Sequence, residues 1–222
     1  MLGKKVLYFE QPEFDKLAAQ NRSVAVMALS AFAAVFYAAA CGGVAAWCKI
    51  APLPAQTPRG ALMYKTKIDL SEKTRRNVIV ILNERLSDAI DLQSQVKQAH
   101  WNVKGPHFIA LHELFDKISD AALDQIDEIA ERISSLGGTA VGTVAVAAKR
   151  SKLKNYPLSI TAGKDHLFYL STQLSVFGRA VRAAIDETGE LGDADTADLF
   201  TQISRETDKY LWFIEAHLQE KA

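Results

Sequence analysis

The sequence has little cysteine, little proline outside one short stretch, and no excess of charge of either sign. Its two cysteines, Cys41 and Cys48, fall in one apolar run, so neither a disulfide framework nor a zinc site built on paired Cys spacing is available. Lys and Arg together number 26, as do Asp and Glu. That balance excludes a globally basic nucleic-acid clamp and a globally acidic, chaperone-like tail. No β-type alternation and no internal repeat is present, which argues against all-β and solenoid architectures. What is abundant is apolar sequence, 49% of 222 residues, ample for a buried core in one or two domains.

The chain divides near residue 60 into two different materials. Residues 1–60 hold six basic and three acidic side chains, which leaves twenty basic and twenty-three acidic for 61–222. From Val24 to Cys48 there is no charge over 25 residues, enough for a helix to span about 30 Å of hydrocarbon. Ala dominates this run and Gly42-Gly43 interrupts it; Lys4, Lys5 and Arg22 before it and Lys49 and Arg59 after it leave no orientation signal. Four readings stay open: a membrane anchor or uncleaved signal, a secretory signal cleaved near Ala51 to Ala55, a lipoprotein-like site at Ala38-Ala39-Ala40-Cys41, or a packed extension or misassigned start preceding Met27 or Met63. Pro52, Pro54 and Pro58 mark an extended linker. We read residues 1–60 as an atypical N-terminal extension and 61–222 as the folded domain.

That domain reads as long helices. Asp69 with Glu72 resembles a capping box, opening a helix with the apolar stripe Val78, Leu82, Leu86, Ala89/Ile90 and Val96. Gly105-Pro106 ends it. A second helix runs from about Phe108 through Phe115, Ile118, Ala122 and Ile129 to a stop at Gly137-Gly138. Residues 139–157 form a long connection with room for one short helix. A third helix over about 161–188 stops at Gly189 and Gly192, and a fourth spans about 195–219. Four long helices with an extended crossover between the second and third define an all-α, ferritin-like four-helix bundle.

Chemistry concentrates between residues 97 and 132. His100 lies on the first helix; on the second, His112 and Asp116 are four apart and share a face, as do Asp127 and Glu131. Imidazole with carboxylate suits iron, manganese or zinc. Asp116 and Asp127 are eleven residues apart, so they point the same way but lie about 16.5 Å apart along the axis. With ligand bonds near 2 Å, one straight helix cannot hold a single metal through both pairs. An antiparallel copy across a two-fold axis would set Asp127 and Glu131 of one chain against His112 and Asp116 of the other, with His100 in reach of the first pair. Conventional ferritin-like di-iron sites use Glu-x-x-His inside one bundle, and no Glu here has a His at that interval. Taken singly, each of these side chains also reads as an ordinary solvated helix face, with Arg132 and Lys117 available for surface ion pairs. His107, His166 and His217 are not read as ligands. Tyr210 and Trp212 read as core or interface packing.

His100-Trp101, Gly105, Phe108, Leu111-His112, Asp116 and Asp127 with Ala130-Glu131-Arg132 resemble the Dps mini-ferritins, the DNA-protection proteins of starved bacteria. The likeness continues through Leu136-Gly137-Gly138, Tyr156-Pro157-Leu158 and Asp195-Thr196-Ala197-Asp198 to Asp208–Glu215, and covers residues 61–219. It implies a hollow homododecamer of tetrahedral symmetry, built from two-fold dimers, that oxidises Fe²⁺, preferably with hydrogen peroxide, and stores ferric mineral. In it His100, His112 and Asp116 of one chain and Asp127 and Glu131 of its mate would form the ferroxidase centre. Trp101 would adjoin that centre, either capturing stray oxidising equivalents or simply packing. Asp193, Asp195 and Asp198 would line three-fold pores that draw Fe²⁺ inward, the competing reading being that acids cap a helix N-terminus.

DNA binding in such proteins uses flexible basic tails that contact phosphates without reading bases. The corresponding cations here are Arg59, Lys65, Lys67, Lys73, Arg75 and Arg76, and twelve copies would add avidity. Two alternatives stand beside the ferroxidase reading: a nucleoid-compacting DNA-binding protein with secondary metal binding, and a membrane-anchored helical protein. A closed shell with outward tails fits a bilayer poorly, so a cytoplasmic location is expected.

Overall fold

A computed structural model describes residues 63–219. The apolar segment 24–48, the proline linker and Arg59 lie outside the described residues. Five helices follow in order: α1 (Glu72–Asn102), α2 (Phe108–Ser135), the short α3 (Val144–Arg150), α4 (Gly163–Glu190) and α5 (Ala194–Ala216). Among the described residues the only β pairing is an isolated parallel bridge between Lys104 and Ala162. The four long helices and the single short one in the crossover match the architecture expected from the periodicity. No helix among the described residues is long and apolar enough to cross a membrane.

The start of α1 departs from expectation. Ser71, not Asp69, caps it: the Ser71 hydroxyl accepts from the Thr74 N–H at 3.1 Å, because only the residue directly before the first turn can reach the N3 amide. Glu72 pairs instead with Arg76, one turn on. At the other end of the pair, α2 closes with two nested bonds, Gly138 N–H to the Ile133 carbonyl and Gly137 N–H to the Ser134 carbonyl, both 2.9 Å. That closure puts Gly137 at φ +86°, where the Tyr64 carbonyl oxygen would stand 2.4 Å from any added Cβ. Glycine is therefore required at this stop.

α1 packs along α2 and α4 along α5, and the two pairs close around Phe115, Phe177, Phe200, Leu82, Leu86, Ile129 and Ile203, all essentially inaccessible to solvent. Truncating one of these phenylalanines to Ala would cost about 3–5 kcal/mol. The crossover is held differently, by buried polar side chains that hydrogen-bond its backbone. Asn83 donates to the Thr139 carbonyl and accepts from the Val141 N–H. Asp88 accepts from the Lys152 N–H at 2.7 Å. Gln95 and Gln173 take the carbonyl and the N–H of Lys154. A long connection crossing a bundle brings its peptide groups into contact with the core, and these side chains supply the partners that burial demands.

His166, on α4, is completely buried and shares a hydrogen bond between its Nδ1 and the Tyr156 hydroxyl. Burial holds its pKa below the ordinary value of 6.5, against weaker opposing effects of Asp165 and of the Asn102 and Thr161 backbone. The unfolded chain takes up a proton near pH 6.5 while the folded chain does not, so stability is full above that pH and declines as pH falls toward the depressed folded value. We expect melting temperature to drop on acidification below about pH 6.5, and His166→Gln to flatten that part of the profile. An unchanged slope in the variant would assign the acid sensitivity to other groups.

Candidate metal centre

The C-terminal turn of α1 and the N-terminal half of α2 bring His100 and His112 face to face. Their rings stack at 3.7 Å between centroids, 22° from parallel. Each ring also binds the other helix's backbone: His100 Nδ1 lies 2.9 Å from the His112 carbonyl, and His112 Nδ1 lies 2.9 Å from the His100 carbonyl. A carbonyl can only accept, so both Nδ1 atoms carry a proton, and it is Nε2 whose lone pair the neutral ring offers to a metal. This reciprocal backbone grip is the arrangement that fixes the tautomer and orientation of metal-binding imidazoles. The short Val103–His107 turn, with Gly105 at φ +116°, lets two helices fold back closely enough for it.

Asp116 lies on the same side, its Oδ1 3.7 Å from His100 Nδ1. Its nearest partner is the Lys97 ammonium, which hydrogen-bonds and ion-pairs with it and holds its carboxyl below the usual carboxylate range. Sequence reasoning missed Lys97. It stands three residues before His100 on the α1 face, a signal that spacing offers, but its pairing with Asp116 crosses the turn between helices. A cation binding through Asp116 Oδ1 must displace this ammonium. We therefore expect Lys97→Met to tighten binding of Fe²⁺ in an anaerobic titration by roughly two- to fivefold, the worth of a partly exposed ion pair; weaker binding would mean that Lys97 supports the site rather than competing for it.

Asp127 and Glu131 are exposed further along α2. Among the described residues of one chain, no three His, Cys, Asp or Glu side chains gather closely enough to hold a metal ion. A stripe of exposed and half-buried side chains nonetheless runs along α2. At 100° per residue, Ile109, His112, Asp116, Asp120, Leu123, Asp127 and Glu131 fall within about a third of the helix circumference. Two of these are bulky and apolar, with Ile109 62% and Leu123 55% exposed, and Trp101 beside His100 is 67% exposed. Trp101 is thus largely uncovered in its own subunit.

The expected pore acids separate. Asp193 is buried: it caps α5 by accepting from the Thr196 N–H and binds the Arg132 guanidinium at 2.7 Å. Its carboxylate is already engaged on both sides, which corrects its assignment as a pore group and favours the capping role. Asp195 and Asp198 are exposed, and Asp195 lies 3.9 Å from Arg132. The basic set separates as well. Arg75 is buried and donates to the Leu136 carbonyl at 2.7 Å, so it ties α1 to the end of α2 and is not a phosphate contact. Arg76 is exposed but paired with Glu72; Lys65, Lys67 and Lys73 are exposed. Trp212 is 61% exposed, outside the core, with its ring tilted against Phe213 at 4.9 Å.

Similarity to known proteins points in one direction. The sequence pattern of the ferritin-like domain family matches residues 79–222. The chain is 48% identical over 159 residues to the DNA protection during starvation protein of Agrobacterium fabrum, spanning 72% of this chain and 98% of that protein. Among solved structures, DpsA14 from Streptomyces coelicolor superposes with a TM-score of 0.69 at 34% identity, covering 72% of this chain and 95% of that one. A Dps protein from Vibrio cholerae O1, described as a member of a broad superfamily of ferritin-like diiron-carboxylate proteins, superposes with a TM-score of 0.66 at 26% identity over 71% of this chain and 99% of its own.

Proposed function

Since the chain belongs to the Dps family of ferritin-like proteins, we propose that it is a ferroxidase and iron-storage shell in which paired subunits oxidise Fe²⁺, with hydrogen peroxide as the preferred oxidant. Family membership and fold together support an iron-storage and protective function. The observation that carries the finer reading is the midpoint symmetry of α2. His112 and Glu131 lie equally far from a point between Ala121 and Ala122, and so do Asp116 and Asp127. That same point is the centre of the helix from Phe108 to Ser135. An antiparallel copy of α2 in one register therefore opposes both pairs at once. Two equivalent centres per dimer result, each with His100, His112 and Asp116 from one chain and Asp127 and Glu131 from the mate. The same pairing covers Ile109 and Leu123, whose exposure is otherwise a cost.

The roles of the ligands follow from their chemistry. Neutral Nε2 atoms, held by their Nδ1 hydrogen bonds, bind ferrous iron without over-stabilising it. Three carboxylates per centre favour the ferric product and so ease loss of the electron. Two ferrous ions supply the two electrons that reduce one peroxide to water, and the hydroxyl radical is bypassed. We propose Asp195 and Asp198 as the groups that attract Fe²⁺ toward the interior. Non-specific DNA binding through Lys65, Lys67, Lys73 and Arg76 is a secondary proposal, read by gel shift at stated salt.

The direct test mixes full-length protein with ferrous iron and peroxide and follows ferric formation. Wild type is expected to consume about two Fe²⁺ per peroxide, and His112→Ala to lose most of the rate while keeping its assembly by intact mass. No oxidation by wild type above the protein-free control removes this reading.

A further inference from the structure

Tyr156 and His166 are left unused by the ferroxidase reading. The Tyr156 hydroxyl is hydrogen-bonded to His166 Nδ1, and the rings lie nearly parallel with centroids 6.1 Å apart. Burial holds this imidazole below its ordinary pKa and so neutral; with its one ring proton on Nε2, Nδ1 accepts from the phenol O–H. His166 Nε2 is buried with no hydrogen-bond partner among the described residues. Burial also drives the Tyr156 phenol far above its ordinary pKa, so it does not ionise on its own. Two aromatic neighbours extend the pair in opposite directions. Phe115, the residue before Asp116, meets the His166 ring edge-on at 6.3 Å. Tyr169 meets Tyr156 edge-on at 4.9 Å and hydrogen-bonds the Lys154 carbonyl at 2.5 Å.

We propose that Tyr156 and His166 form a proton-coupled redox pair that disposes of one-electron oxidising equivalents escaping the iron centre. A half-buried phenol loses an electron easily only if its proton leaves at the same time, because the phenol radical cation is strongly acidic and a charge in a partly desolvated site is costly. Neutral His166 offers a lone pair on Nδ1, already aligned along the O–H bond. The step balances as follows. When a ferrous ion meets peroxide without a second ferrous ion, it gives one electron and leaves hydroxide and a hydroxyl radical. That radical, or another one-electron oxidant of its class, takes one electron from Tyr156 and becomes hydroxide. The phenolic proton moves to His166 Nδ1, leaving a neutral tyrosyl radical beside an imidazolium. The Asn102 and Thr161 backbone groups already favour that protonated ring. One electron from a further ferrous ion, which becomes ferric, and return of the proton from Nδ1 reset the pair.

This use rests on the ferroxidase reading, but the pair can be tested without iron. Full-length, metal-free protein is oxidised by flash photolysis with a ruthenium tris-bipyridine sensitiser and followed by electron paramagnetic resonance in H₂O and D₂O. Wild type is expected to settle into a long-lived neutral tyrosyl radical coupled to one exchangeable proton. Tyr156→Phe, which keeps the ring and its packing, should lose most of that signal, whereas Tyr169→Phe should retain it. His166→Gln should slow Tyr156 oxidation by roughly a hundredfold, the usual worth of a positioned base. An unchanged long-lived radical in Tyr156→Phe, or a wild-type radical with no exchangeable-proton coupling, overturns the proposal. A second arm repeats the measurement with ferrous iron and peroxide. Failure of wild type to oxidise iron there defeats the ferroxidase reading, while the flash experiment still decides the fate of the pair.

Discussion

Mixing a chain carrying H100A/H112A with a chain carrying D127A/E131A restores iron oxidation that neither chain supports alone. In each homo-oligomer every centre lacks either its imidazoles or two of its three carboxylates, and oxidation should fall by at least about a hundredfold. In a mixed dimer one of the two centres loses both halves. The other takes His100, His112 and Asp116 from one chain and Asp127 and Glu131 from its mate, all intact. Random reassembly places the right halves together at about a quarter of all centres, so about a quarter of wild-type activity is expected after co-refolding or co-expression. A centre contained within one subunit predicts no recovery on mixing, and that outcome would end the interface account whatever the activity of the wild type. The midpoint symmetry of α2 makes the experiment decisive, since it requires both residue pairs to be completed by the same neighbour.

Asp88→Ala, remote from the metal ligands, should be as damaging as truncating a core phenylalanine. Asp88 is 1% exposed as a side chain, faces Arg85 Nη2 at 2.9 Å and accepts the Lys152 N–H. The contact with Arg85 is an ion pair without full hydrogen-bond alignment, since Asp88 Oδ2 and Arg85 Nε have no hydrogen-bond partner among the described residues. Burial outweighs these partners and raises the Asp88 carboxyl above its ordinary pKa. The pair therefore adds little net stability when whole. Removing one member is a different matter, because it leaves the buried Arg85 guanidinium with only Glu84 at 3.6 Å and the Ala180 carbonyl at 3.3 Å, and leaves the Lys152 peptide N–H unpaired. We expect a loss of about 3–5 kcal/mol, or on the order of 10 °C in melting temperature for a domain of this size. Asp88→Asn keeps an acceptor for Lys152 and should lose clearly less. Equal melting temperatures for Asp88→Ala and wild type would show that the crossover is not held at this point.

The helices were legible because burial leaves a period in the sequence. Val78, Leu82, Leu86 and Val96 repeat at helical spacing and are all buried. The glycine stop at Gly137-Gly138 was equally plain, since a left-handed residue leaves few alternatives to glycine. The cap of α1 was misplaced by two residues, from Ser71 to Asp69, because several polar side chains before a helix qualify by type and only geometry chooses among them. Asp193 and Arg75 were misjudged for a related reason. Both are charged side chains beside helix ends, and sequence alone cannot tell a solvated charge from one that has found a buried partner, Arg132 for Asp193 and the Leu136 carbonyl for Arg75.

The sequence by itself determined which residues carry imidazole and carboxylate, that all but His100 share one stripe of α2, and that their separation along it is too great for one ion. Those facts depend only on residue type and on the fixed rise and turn of a helix. Tertiary structure alone decided that His100 and His112 grip each other's backbone, that Lys97 occupies Asp116, and that Tyr156 hydrogen-bonds a buried neutral histidine. Those contacts join residues on different elements, and their distances are set by how the elements pack, a quantity that no local spacing encodes.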